Sequence, residues 1–286
     1  MSIRFGLAPL AEVHPWGKDS ELHWFGLTQG WYCLDVGGFE LMRYSDRSIE
    51  QLRGDGANLS DAGHVGDEER YIDYYVVRLW EDILALFPEA LEPVPADLID
   101  FLRSDSEQWS QEVLDASIND DALAREVDAA MTLRSHRFVD TGYMRFGPSF
   151  MWWRTVDGSG DRMTIEWWYP IDPDGVIEFV RPPVDRATIP TSEFLAAVNE
   201  FDRALLSAMD ERVSRLEASG PPEGVKSDVA WLRREHGERM QWLPKALERR
   251  TSTDWNAVRS GARALLSNRA PLEGVTSRDL SRHRED

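Results

Sequence analysis

At 286 residues the chain has room for one large domain or two of ordinary size. Its 42% apolar content, with 12 Trp and 11 Phe, excludes a disordered acidic chain and requires a sizeable core. The net charge of −19 argues against nucleic acid and acidic membranes as partners and in favour of basic proteins.

The first 45 residues predict β-structure. Ile3, Phe5 and Leu7 alternate with Arg4 and Gly6, the period of a half-buried strand. The apolar runs Leu22–Leu27 and Trp31–Val36 follow, and Gly37-Gly38 links the latter to Phe39–Tyr44. A Gly-Gly pair between apolar runs marks a hairpin, because both turn positions need positive φ. A three-stranded meander is expected, then a polar, Gly-rich loop over 46–66.

A helix is predicted from Glu68 to Phe87, with Ile72, Val76, Leu79, Trp80, Ile83 and Phe87 on one face and Pro88 closing it. A second is predicted over Ala96–Ala116, with Leu98, Phe101, Leu102, Trp109 and Val113 inward. A third begins after Asn119, with Asp120 and Asp121 in its first turn, where the helix dipole favours anions. A second β-region spans Phe138–Arg181. Phe150–Val156 and Arg162–Tyr169 flank the turn cluster Asp157–Asp161, and Val176–Val180 follows the turn Asp172-Pro173-Asp174-Gly175, giving a four-stranded meander.

After Pro190 the pattern is helical. Thr191 caps a helix reaching Ser219, with Phe194, Val198, Phe201, Leu205, Met209, Val213 and Leu216 on one stripe. A second long helix runs from Val225 to Leu247, kinked at Pro244, and Asp254–Asn268 gives a third. The class is therefore α+β: an antiparallel sheet from two β-meanders, with inserted acidic helices and a C-terminal helical bundle. The implied division is an α+β domain over 1–189, the bundle over 190–268 packed on the sheet as one unit, and a disordered tail over 269–286.

The charge is unevenly spread. Residues 55–128 hold 20 Asp and Glu against 4 Arg and no Lys, whereas residues 226–286 carry +4. Carboxylates at Asp67, Glu68, Glu69, Asp73, Asp100, Asp105, Glu107 and Glu112 are the candidate surface for a basic protein partner. The opening stretch Met1–Trp16 lacks a cationic start followed by a long apolar run, and no window approaches the length of a membrane span, so a cytoplasmic protein is expected. The lone Cys33 excludes an internal disulfide and, in an apolar run, reads as a small core residue.

The stretch Leu22-His23-Trp24-Phe25-Gly26-Leu27-Thr28-Gln29-Gly30-Trp31-Tyr32 resembles the N-terminal signature of an uncharacterised bacterial family, known only as domain of unknown function 5984. The similarity continues through Glu166-Trp167-Trp168, Asp202–Val213 and Asp254–Arg259. It implies one architecture over most of the chain and brings no reaction, cofactor or site.

Several patterns carry chemistry on paper. His64 with Asp67, Glu68 and Glu69 suits a divalent cation, but carboxylates at a helix start also complement its dipole. Asp157-Gly158-Ser159-Gly160-Asp161 lacks the closing Glu of a calcium loop and reads as a hairpin turn. No Walker, Gly-x-Ser-x-Gly or Cys-x-x-Cys motif occurs, and neither metal nor cofactor is implied. Arg233, Arg234, Arg239, Lys245, Arg249 and Arg250 form a basic run that suits phosphate, or that balances the acidic helices. Trp152-Trp153 and Trp167-Trp168 put one Trp on each face of the sheet; an open face would present Trp152 and Trp167 with Arg154 and Glu166 as a ligand pocket, and helices on both faces would bury them. The leading expectation is an acidic cytoplasmic protein that binds a basic partner, of the immunity or inhibitor kind. The alternative is an enzyme or small-ligand binder with that Trp-lined pocket.

Overall fold

The computed structural model describes residues 1–15, 20–54, 70–139, 141–144, 146–180 and 184–267. The fold is α+β with two antiparallel four-stranded sheets. The first comprises β1 (Ser2–Leu7), β2 (Gln29–Val36), β3 (Phe39–Leu41) and β4 (Asp73–Tyr75). β2 pairs with β1 on one edge, and on the other with β3 through Leu34–Val36 and with β4 through Gln29–Trp31. Gly37 and Gly38, at φ 58° and 80°, make the expected two-residue turn. The second sheet runs β5 (Phe138–Val139), β6 (Ser149–Asp157), β7 (Gly160–Trp168) and β8 (Val184–Pro190) in sequence order.

The helices are α1 (Asp46–Gly54), α2 (Val76–Ala90), α3 (Ile99–Leu102), α4 (Gln111–Ser117), α5 (Asp121–Ser135), α6 (Thr191–Ser219), α7 (Val229–Arg239), α8 (Trp242–Glu248) and α9 (Trp255–Leu265). No helix among the described residues is long and apolar enough to cross a membrane.

The chain divides into two compact units, Met1–Val94 with His136–Thr251, and Pro95–Ser135 with Ser252–Asp286. This differs from the boundary at residue 190 drawn from sequence. The stripe of α6 packs on β1 of the first sheet and on β7 and β8 of the second. One core, including Trp24, Trp80, Phe87, Trp152, Trp167, Phe194 and Phe201, runs through both sheets, α2 and α6. In the second unit α5 packs on α9. Gly261 allows that approach, since a Cβ there would stand 2.0 Å from the Glu126 carbonyl oxygen. Asp254 caps α9 by accepting from Asn256 N and Ala257 N. The segment 269–286 lies outside the described residues.

Several local expectations need correction. Leu22–Leu27 is not a strand: Leu27 N donates to His23 O and Thr28 N to Phe25 O, so the run turns on itself. Its apolar side chains are core all the same, with Leu22, Trp24 and Leu27 buried. The first acidic helix starts at Val76, not Glu68, because Asp73–Tyr75 joins β2 as a strand; the Thr28 hydroxyl then accepts from Val77 N in the first turn. Val176–Val180 is not a strand either. Buried Asp172 accepts from Asp174 N, Val176 N and Ile177 N, diverting the donors a ladder needs, and β8 closes the meander instead. The helix expected over Ala96–Ala116 breaks into short pieces, where Ser104 bonds back to the Phe101 carbonyl and Asp105 and Ser110 start new turns. The long helix after Val225 likewise divides at Met240-Gln241, four residues before Pro244, which lacks the N–H that the Met240 carbonyl would need.

Candidate functional site

The acidic surface falls on the second unit. Asp97, Asp100, Asp105, Glu107, Glu112, Asp115, Asp120, Asp121 and Asp128 are all exposed. Part of this charge serves the helix starts. Asp105 accepts from Glu107 N at 3.0 Å, Asp120 accepts from Ala122 N and Leu123 N at 2.9 and 3.1 Å, and Asp100, Glu112 and Asp121 sit in first turns. Asp97 is taken by Arg259 at 2.6 Å, whose hydrogen bond holds the carboxyl below its usual range. Between Asp115 and Asp120, at the C-terminal end of α4, Ile118 is 79% exposed.

The other candidate carboxylates lie elsewhere. Asp67, Glu68 and Glu69, with His64, lie outside the described residues. Asp73 is on β4, half-buried, in the first unit. On α2, Glu81 accepts from Arg239 at 2.6 Å, and Asp82 binds Arg78 and the Tyr143 hydroxyl. Among the described residues of the acidic block, the exposed carboxylates lie within 97–128, and Glu81 and Asp82 of α2 are engaged inside the first unit.

The residues around the second meander are rearranged relative to the expected pocket. Trp152, Trp153 and Trp167 are 1%, 3% and 0% exposed. Trp152 packs against Phe150 and Phe194, and Trp167 against Phe39. Neither can wall an open ligand pocket. Glu166 stands on β7 opposite Met151 of β6 and Arg186 of β8. Of the four pocket candidates, Arg154 lines a cavity of about 540 Å³ whose wall also includes Leu91, Asp161, Thr191, Ser192, Leu195, Leu247, Arg249 and Arg250.

In that cavity Arg154 grips Asp161 with two hydrogen bonds of 2.7 and 2.6 Å and donates a third to the Leu91 carbonyl. The Thr191 hydroxyl donates to Asp161 instead of capping α6, whose N-cap is Pro190. Arg154 holds the Asp161 carboxyl below its usual range, which makes Asp161 a poor general base for Thr191. The Asp157–Asp161 cluster is a hairpin turn in which Asp157 accepts from Ser159.

The remaining candidates serve the fold. Burial pushes the Cys33 thiol up to about 12, against the pull of Arg4, so it is no nucleophile at neutral pH. His236 is buried, stacked on Trp24, with Nε2 3.7 Å from Asp210. Arg233 is held by Asp210 and Glu217, and Arg239 by Glu81 and Glu235 between the rings of Trp24 and Trp242. Those charges are spent within the first unit. Arg249 and Arg250 reach the cavity wall, a placement that no local sequence signal marks.

The family described as "Family of unknown function (DUF5984)" matches residues 2–261, and the chain belongs to that family. No curated protein and no solved structure matches it.

Proposed function

We propose that this DUF5984 member is an acidic interaction protein that docks a basic protein through the carboxylate surface of its second unit. The observation that supports this reading most directly is Ile118, 79% exposed between Asp115 and Asp120. Carboxylates alone also serve solubility. A large apolar side chain held out among them adds the contact that protein interfaces place inside a charged rim. The field of residues 97–128 steers a cationic partner, and Ile118 supplies desolvated contact on arrival. In the cytoplasm this is the work of an immunity or inhibitor protein, which covers a basic face of its target.

The test is affinity capture from native lysate with the parent chain and with Ile118→Asp, read by mass spectrometry. A basic protein retained by the parent at low salt, released at high salt and lost with Ile118→Asp supports the reading. Equal capture by both chains contradicts it.

A further inference from the structure

The cavity in the first unit differs in character from the rest of this acidic chain. The carboxylate of Asp161 on its wall is neutralised by Arg154, and Glu92 stands 3.8 Å from Arg137. Arg249 and Arg250 have no such counterpart. The hydrogen bonds of Arg249 reach the Leu84 carbonyl, and those of Arg250 reach the Leu247 and Arg249 carbonyls. Among the described residues neither forms an ion pair. The wall's negative charge is cancelled while two of its guanidinium charges are not, so the cavity is locally cationic in a chain of net −19.

We infer that this cavity binds a small phosphate-bearing molecule with an apolar body. The guanidinium fork fits phosphate oxygens, and a doubly charged phosphate balances both guanidinium charges where a carboxylate balances one. The volume of about 540 Å³ exceeds what a bare phosphate fills and lies in the range of small-molecule sites. Pro88, Leu91, Leu195 and Leu247 supply apolar wall for the remainder. Thr191 and Ser192, at the start of α6 where no side chain caps the amides, add to the same field. The site lies outside the second unit and is independent of the docking surface.

Calorimetric titration of the full chain with phenyl phosphate, inorganic phosphate and benzoate tests the assignment. Saturable 1:1 binding of phenyl phosphate is expected, tighter than inorganic phosphate and tighter than benzoate. Arg250→Gln weakens it by about tenfold, the loss of one charge-assisted hydrogen bond. Leu195→Trp fills the cavity and abolishes binding. A thermal melt checks that each variant folds; should Leu195→Trp not fold, Arg250→Gln decides alone. Absence of saturable phenyl phosphate binding, binding unchanged in Arg250→Gln, or benzoate binding as tightly as phenyl phosphate overturns the inference.

Discussion

Arg249 donates from Nη2 to the Leu84 carbonyl at 2.8 Å, the carbonyl that Pro88 leaves without a helical donor. Pro88 sits in the last turn of α2, four residues past Leu84, and has no N–H to give back. The end of α2 is completed from outside: Thr251 donates to the Pro88 carbonyl and Arg154 to the Leu91 carbonyl. A charged donor at a helix C-terminus also opposes the negative end of the dipole.

Arg249→Ala is therefore expected to destabilise the chain by about 1–3 kcal/mol, the cost of leaving a carbonyl unsatisfied. Pro88→Ala restores a donor at residue 88, so Arg249→Ala should cost less in that background. Urea unfolding of the four chains in the cycle measures the coupling. Additive losses would show that Arg249 does not substitute for the missing N–H.

Trp80 is 0% exposed, stacked on Trp242 with centroids 5.4 Å apart, and its Nε1 donates to Asp202 at 2.9 Å. Burial pushes the Asp202 carboxyl up, and the Trp80 bond partly offsets this. Trp80→Ala should cost about 3–5 kcal/mol, as for other large aromatics removed from a core. A melting temperature within about a degree or two of the parent would show that this face of α2 is not core.

Glu40 gives the fold a dependence on acid. Burial pushes its carboxyl up, but hydrogen bonds from Tyr71, Arg43 and Arg4 outweigh that and hold it at about 2, against an ordinary 4.5. A carboxylate lowered on folding contributes stability that is complete above its unfolded value and fades as pH falls through the folded one. Glu40→Gln should thus lower stability at neutral pH and flatten its decline between pH 4.5 and about 2. Denaturant melts across that window measure both slopes, and parallel curves would contradict the assignment.

What the sequence made legible was local. The Gly37-Gly38 hairpin, the turn within Asp157–Asp161 and the stripe of α6 each depend on residues a few positions apart, and each stands as read. β4 was hidden because Tyr75 continues the apolar face of α2 while pairing with Gln29, far away in sequence. Val176–Val180 reads as a strand because it is a short, mostly apolar run after a turn, yet Asp172 takes the amides of Val176 and Ile177. The acidic block was plain from composition, but composition could not show that Glu81 and Asp82 are spent on Arg239 and Arg78. The cavity was out of reach, since its wall brings Pro88 and Leu91 to Arg154, Arg249 and Arg250 across most of the chain.

The central claim is that exposed carboxylates of the second unit carry partner binding. Asp100, Asp105, Glu107 and Glu112 are exposed, and changing them to Asn and Gln keeps their shape. Asn at 105 also retains the capping oxygen that Glu107 N uses. The first-turn charges at Asp100 and Glu112 are worth about 0.3–1 kcal/mol each, so the quadruple variant should stay folded with a modestly lowered melting temperature.

The most direct measurement compares capture of basic proteins by the parent and this quadruple variant over a series of salt concentrations. The account predicts that the parent retains a basic protein at low salt and releases it as salt rises, and that the folded quadruple variant retains little at any salt. A partner bound equally by both chains, or binding by the parent that salt does not weaken, would contradict it.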